Sequence, residues 1–322
     1  MKITFIVWTH YDRRPELVAR QLGAALHYVS YGRHGRVLQA PLRYLVQAAR
    51  TWNILDAERP DVVFVQNPPI FAPLVVARYA RRAGARYVLD SHSGAFLSPK
   101  WRWASGLHRR LARGALTTIV QNGPLAEVVC GWGCSVSLLG FTPGEYPHGE
   151  AFPLDGAFNV AVISTYGEDE PLDVVWETAR RMPDVAFYVT GDARHADQRL
   201  LAEKPENCHL TGYLSYERYI GLLRTTGAVI DLTTQDNTLL MGAYEAVALG
   251  TPLIVSDWPV LRDYFSRGAV HVPNTVEGLR IGIRRVQHER AALSDEMIAL
   301  REHLHDEWNR RFTELQHVLV SA

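Results

Sequence analysis

Short apolar runs alternate with stretches of helical period along the whole chain. Runs rich in Val, Ile, Leu and Phe predict strands near 2–8, 27–31, 61–66, 86–90, 116–120 and 135–139. Between them, apolar positions recur every three or four residues near 14–25, 41–58, 71–83, 101–113 and 123–131, which predicts helices. The order then repeats. Strands are expected near 158–164, 185–190, 207–211, 228–232, 252–256 and 268–272, with helices near 171–181, 215–226, 238–249 and 259–266. A long helical tail runs from about 275.

Strands separated by helices imply parallel sheets built from right-handed crossovers. Two such series predict an α/β chain of two Rossmann-like domains, over 1–142 and 155–300, with a helix over 301–322 able to return to the first. The segment GFTPGEYPHGEAFPLDG, 140–156, has Pro and Gly but no helical period and reads as a linker. In open parallel sheets, ligands sit outside the carboxyl ends of the strands. Two such domains facing each other make a cleft, so the residues just after each strand are the candidates for chemistry.

Composition narrows the class. The chain has 322 residues, 47% hydrophobic and 21% charged, as in a globular protein. No apolar run approaches the roughly 18 residues of a spanning helix, and MKITFIVWTHYDRR reads as a first strand rather than an export signal. A cytoplasmic location is the expectation, and Cys130, Cys134 and Cys208 fit a reducing compartment better than a disulfide framework. A metal half-site at Cys130 and Cys134 lacks a second ligand pair at suitable spacing. Charge is split unevenly: residues 1–140 hold 18 Lys+Arg and 7 Asp+Glu, or +11, while 141–322 hold 16 and 27, or −11. An anionic partner for the first half follows.

The first strand runs into Thr9-His10-Tyr11-Asp12-Arg13-Arg14 without a glycine, so the phosphate cradle of nicotinamide and flavin enzymes is missing. In the stretch GAYEAVALGTPLIVSDWP, 242–259, one acid interrupts an apolar helix. Asn237 or Thr238 is expected to cap that helix. Gly242 and Ala243 keep its first turns small, so that a ligand can approach the positive end. On spacing alone, Glu245 reads equally well as an ion-paired surface acid.

EAVALGTPLIVSD resembles the signature of GT-B glycosyltransferases of the family 4 type, in which an acid opens an E-A-x-A-x-G-x-P-V-I run. The resemblance implies that Glu245 hydrogen-bonds the ribose hydroxyls of a nucleotide-sugar donor, with UDP or GDP as the nucleotide. The family's second Glu, eight positions earlier, is replaced by Asn237 beside Asp236. Gly191-Asp192 resembles the family's strand-ending pair, and HLTGYLSYERYIGLL, 209–223, its glycine turn and helix. This implies donor contacts at Gly191, Gly212, Tyr213, Met241 and Gly242. In the first half, Gln66-Asn67-Pro68-Pro69 and RYVLDSHSGAF resemble the acceptor domain.

Retaining members carry Arg and Lys after the first strand of the donor domain; here ISTYGEDEPLDVV, 163–175, has four acids and no base. That segment, with Thr165 and Tyr166, looks more like the one in chitobiosyldiphosphodolichol β-mannosyltransferases, which are inverting and share a Q-N-P-P segment and a D-x-H matched by Asp90-Ser91-His92. An inverting transferase needs one general base in the acceptor domain. His92 is the first candidate, its ordinary pKa near 6.5 suiting the task. Asp90 would orient it or act itself, and Asp12 is the third. Phosphate neutralisation is expected from the 238–243 helix end with Arg194 or Lys204. No cofactor is expected, and a metal held by Glu168, Asp169 and Glu170 is a lesser alternative to metal-independent transfer.

From Ser91 to Ala126 there are five Lys+Arg and no acid. Lys100, Trp101, Trp103, Arg109, Arg110 and Arg113 present the Trp-and-cation mixture of a surface that binds anionic lipid, with Asn67 on the acceptor side. No nucleic-acid-binding motif accompanies the charge. The expected function is transfer of a sugar to a lipid-linked or polysaccharide acceptor by a peripheral enzyme at the inner membrane face. The alternatives are a non-hydrolysing sugar-nucleotide epimerase and a non-catalytic binding subunit of the same fold.

Overall fold

The computed structural model describes residues 1–32, 40–141 and 146–321. The chain folds into two compact units: Met1–Phe141 with Asn309–Ala322, and the intervening chain to Trp308.

The first unit alternates β1 (Ile3–Val7), α1 (Arg13–Leu22), β2 (Ala25–Tyr28), α2 (Ala40–Glu58), β3 (Val62–Asn67), α3 (Phe71–Ala83) and β4 (Arg86–Ser91). A short α4 (Gly94–Leu97) and a 3₁₀ turn at Pro99–Ala104 lead to α5 (Ser105–Gly114), β5 (Thr118–Val120), α6 (Gly123–Gly131) and β6 (Val136–Leu138). All strands pair in parallel, in the order β2-β1-β3-β4-β5-β6. VVFVQN and its neighbour β1 are buried from end to end, as strands covered on both faces must be.

The second unit runs β7 (Phe158–Val162), α7 (Leu172–Arg180), β8 (Val185–Thr190), α8 (Gln198–Ala202), β9 (Cys208–Gly212), α9 (Tyr216–Thr225), β10 (Ala228–Asp231), α10 (Met241–Leu249), β11 (Leu253–Ser256), α11 (Pro259–Tyr264) and β12 (Ala269–Val272). Its parallel sheet has the order β12-β11-β10-β7-β8-β9. A single helix, α12 (Val276–Ser321), closes the chain. Its first part packs Leu279, Ile283 and Val286 into the second core, and its residues from Asn309 onward belong to the first unit.

Two Rossmann-like parallel-sheet units are what the alternating pattern predicted. The differences are local. The second strand starts at Ala25, earlier than expected, because Gly23 ends α1 in a left-handed turn (φ 62°) and turns the chain straight into the sheet. The helix expected from 238 begins at Met241. Asn237 does not cap it: Asn237 has φ 60° and its amide donates to Asp236 Oδ1, while extended Leu240 precedes the first turn. Residues 142–145 of the expected linker lie outside the described residues. Its remainder packs on α9, with Arg224 donating to the carbonyls of Tyr146 and Pro147.

Candidate active site

In the first unit, strand order reverses between β1 and β3, and polar side chains gather there at the carboxyl edge of the sheet. Asp12 N-caps α1, accepting from the Arg14 amide at 3.1 Å, and its other oxygen accepts from Gln66 Nε2 at 2.6 Å. Arg14, the second residue of α1, turns inward and pairs with Asp90 through Nη1, while Nη2 donates to the Leu139 carbonyl at 3.0 Å. His92 lies at the centre. Its Nε2 is 3.2 Å from Gln66 Nε2 and 3.5 Å from both Arg14 Nη1 and Asp90 Oδ2.

This geometry separates the three base candidates. Asp90 is buried on β4. Burial alone would raise its carboxyl, but the Arg14 guanidinium and His92 outweigh that and hold it at about 2. It is therefore ionised, and held between Arg14 and His92. Asp12 spends both oxygens on the cap and on Gln66. His92 is half-buried, with part of its ring open to solvent, and its charged form has Asp90 beside it. Asn67 ends β3 buried, its backbone carbonyl accepting the His92 amide at 2.8 Å. Ser91 and buried His108 are 3.0 Å apart behind this strand, and burial lowers His108 to about 4, keeping it neutral.

In the second unit, the ends of β7, β8 and β9 and the start of α10 enclose a pocket of about 360 Å³. Thr165, Gly191, Gly212, Tyr213, Met241, Gly242 and Glu245 line it. Glu245 sits one turn into α10, and Tyr219 on α9 donates its hydroxyl to Glu245 Oε2 at 2.5 Å. Burial keeps the Tyr219 hydroxyl protonated, and the Glu245 charge adds to this. Gly191 has φ 95°, and a Cβ there would fall 2.1 Å from the Ser164 carbonyl oxygen.

Gly242, besides lining the pocket, has a packing role. A Cβ on it would meet Asp231 Oδ2 and Ile163 Cγ1, both at 2.6 Å, so its smallness lets α10 settle onto the sheet. Asp231, the last residue of β10, is buried and accepts the Ala243 amide at 2.8 Å. Burial raises its carboxyl and the Ala243 amide opposes this. The charges of Glu170, Glu245 and Asp169 add to the rise, leaving it at about 8. It therefore satisfies an otherwise open first-turn donor of α10 in its neutral form.

The other expected donor contacts fall elsewhere. Arg194 is exposed and chelates its neighbour Asp192, with Nη2 2.6 Å from Oδ2. Lys204 donates to the carbonyls of Pro205 and Cys208. Tyr166 packs on the core of the second unit, and Asn237 is not part of the pocket lining. The acid-rich loop is held by its own acids: Glu170 accepts from Ser164 Oγ at 2.6 Å and from the amides of Thr165 and Tyr166, and Asp169 accepts from Thr233 Oγ1 at 2.9 Å. Among the described residues, no group of three or more His, Cys, Asp or Glu is placed to hold a metal.

Of the basic surface residues, Lys100, Trp103, Arg109, Arg110 and Arg113 are exposed. Trp101 instead packs half-buried on the first core, near Phe71. Sequence reasoning gave no role to Arg14, Gln66, Tyr219 or Asp231. Asp231 had a legible signal, an acid closing an otherwise apolar strand; the others needed the fold.

A family model described as a glycosyl transferase 4-like domain matches residues 2–137. A second, described as glycosyl transferase-like, matches 174–316. No curated protein sequence matches the chain. Among solved structures, HepE of Anabaena, determined with UDP and glucose, is similar at TM-score 0.72 and 15% identity, with 100% of each chain covered. Sucrose-phosphate synthase from Thermosynechococcus elongatus is similar at TM-score 0.76 and 10% identity, covering 100% of this chain and 99% of that one. A glycosyltransferase from Rickettsia africae gives TM-score 0.71 and 12% identity over 98% and 97%. With two parallel-sheet units that match the GT-B fold, the chain carries a glycosyl transferase 4-like domain followed by a glycosyl transferase-like domain, the pair of domains of a glycosyltransferase.

Proposed function

We propose that the protein transfers a sugar from a nucleoside diphosphate sugar to an acceptor hydroxyl, binding the donor in the pocket of the second unit. The observation that carries this is Glu245, a carboxylate on the pocket wall whose orientation is fixed by Tyr219. A carboxylate accepts from two adjacent ribose hydroxyls at once, and charge-assisted bonds of this kind are the stronger class. The HepE structures, which hold UDP or UDP-glucose, support UDP over GDP. Thr165, Gly191, Gly212 and Tyr213 complete the donor wall in this reading.

No Lys or Arg lines the pocket among the described residues. The first turn of α10 is therefore the group assigned to the diphosphate, through the amides of Met241 and Gly242 and the helix dipole. The reaction is read as inverting and metal-independent, because the loop acids are spent on bonds within the protein. The acceptor oxygen attacks the anomeric carbon opposite the leaving group, and the carbon–oxygen bond to the diphosphate breaks with its electron pair leaving on the diphosphate. His92 takes the hydroxyl proton, and Asp90, kept ionised by Arg14, stabilises the imidazolium. The acceptor is read as lipid-linked or polysaccharide, met at the inner face of the membrane by a cytoplasmic, peripheral enzyme.

Calorimetry with UDP and GDP tests the donor site. The wild type is expected to bind one of them, and Glu245→Ala to weaken it by tenfold or more with its melting temperature unchanged. His92→Ala is expected to keep nucleotide binding and lose transfer. Binding of neither nucleotide would remove the donor assignment, and product formed from the donor alone would identify an epimerase.

A further inference from the structure

The first unit carries an apolar rim backed by unpaired cations. Helices α2, α3 and α5 cover one face of its sheet, and Leu55, Val76 and Leu111 share a core with Val63, Val65 and Leu89. Each helix follows a parallel strand, so each begins at the carboxyl edge of the sheet. At these starting turns Leu42, Leu45, Leu74 and Trp103 face outward, Leu45 at 68% and Trp103 at 65% exposure. Aromatic rings join them into one strip: Tyr44 lies 4.7 Å from Phe71, and Phe71 lies 6.2 Å from Trp103. Contiguous exposed apolar surface of this kind marks an interaction site rather than scattered surface residues.

Behind the rim, α3 and α5 form a groove of about 550 Å³. Arg78, Arg81, Arg86 and Arg110 line it over alanine and leucine side chains, and no acid does. None of the four has an ion-pair partner among the described residues. Arg78 and Arg81 follow Leu74 by four and seven positions, which places them about 6 and 10 Å further along the helix. An interfacial helix buries its apolar face roughly 5–10 Å into the boundary between acyl chains and headgroups. The rim and the cations nearest to it, Arg78 on α3 and Arg110 on α5, are thus spaced as acyl chains and phosphates are, while Arg86, which opens β4, lies at the far edge of the sheet.

We propose that this face docks on a bilayer containing anionic phospholipid, with Leu42, Leu45, Leu74 and Trp103 entering the acyl boundary and Arg78 and Arg110, at the near end of the groove, holding headgroup phosphates. A nucleic acid would engage the cations and leave the leucine rim in water. The docking deepens the reading of a lipid-linked acceptor and rests on it for its purpose, but its evidence lies in the first unit alone. It also differs from the surface the sequence suggested. Arg110 belongs to the groove, whereas Arg113 reaches toward the Trp132 carbonyl on the other side of α5. The rim lies on the sheet edge that carries Asp12, Gln66 and His92, so docking brings that edge to the lipid surface.

The test is cosedimentation of the full chain with phosphatidylcholine vesicles, with and without phosphatidylglycerol. Binding is expected only with the anionic lipid and is expected to fall as salt rises. The double variant Arg78→Glu, Arg110→Glu should lose tenfold or more in partition, each basic residue being worth about a factor of five near such a surface. Leu45→Ser with Trp103→Ser should weaken binding while leaving its salt dependence intact. Melting temperature and nucleotide binding report that each variant is folded. The proposal is overturned by equal binding to neutral vesicles, by wild-type binding in the arginine variant, by absent wild-type binding, or by a dimer in sedimentation that Leu45→Ser dissociates. Since vesicle binding needs no donor, its loss leaves the Glu245 assignment standing, and loss of the Glu245 assignment leaves vesicle binding standing.

Discussion

Asp231 shows how one buried group ties the stability of the second unit to its candidate site. An aspartate in the unfolded chain titrates near 3.9, whereas in the fold it titrates at about 8. Between these values the native state holds a proton that the unfolded chain has released. Its contribution therefore lowers stability as pH rises from about 4 to about 8, and no further above that. In Asp231→Asn the amide oxygen still accepts from Ala243, so the decline should vanish. The melting temperature of the variant is expected to gain on the wild type between pH 5 and pH 8. Nucleotide affinity should follow, because ionising Asp231 adds a negative charge beneath Gly242. Calorimetry at pH 6 and pH 9 should show a larger fall for the wild type, and parallel profiles would refute the link. Glu245 was legible in the sequence because an acid in an apolar helix ahead of a Gly-Thr-Pro turn is a local anomaly. Its partner Tyr219 was not, since it lies 26 positions away and meets it only through packing of α9 beside α10.

At the scale of elements, α10 shows where periodicity stops being informative. The apolar pattern placed a helix over 238–249, and an Asn or Thr near its start looked like a cap. The helix instead begins at Met241 and takes its first-turn acceptor from the neighbouring strand, through Asp231. A cap delivered from another element leaves no mark within the helix sequence. Gly242 follows the same logic: its missing side chain serves contact with the sheet. Gly242→Ala should therefore destabilise by about 1–3 kcal/mol through overpacking. Gly106→Ala on α5, where a Cβ meets nothing within 4 Å, should be neutral or slightly stabilising. Thermal melting of the two variants side by side checks the contrast, and equal shifts would refute it.

At the scale of the whole molecule, α12 serves both units. Phe312, Leu315 and Leu319 are buried and belong to the first unit, although they follow the second in the chain. Full burial of such side chains contributes about 1.5–3 kcal/mol each, which together rivals the roughly 5–15 kcal/mol that stabilises a domain. A chain ending at Trp308 is thus expected to lose the cooperative melting of the first unit, seen in near-ultraviolet circular dichroism. Nucleotide binding in the second unit should persist, and an unchanged first transition would show that this helix end is dispensable.

The sequence by itself determined the alternation of strands and helices, and with it two parallel sheets, because burial on both faces writes each strand as an apolar run and each helix as a period. It also marked the strand ends near which Asp12, Asp90 and His92 stand, and the helix that carries Glu245. Tertiary structure decided what those residues do there. Strand order brings Arg14 to Asp90 across 76 positions and makes that acid a fixed anion beside His92. Helix packing sets Tyr219 on Glu245 and Asp231 under α10, and it brings the starts of three helices together into one apolar rim. Burial, partner and charge environment are properties of neighbours in space, and spacing along the chain does not encode them.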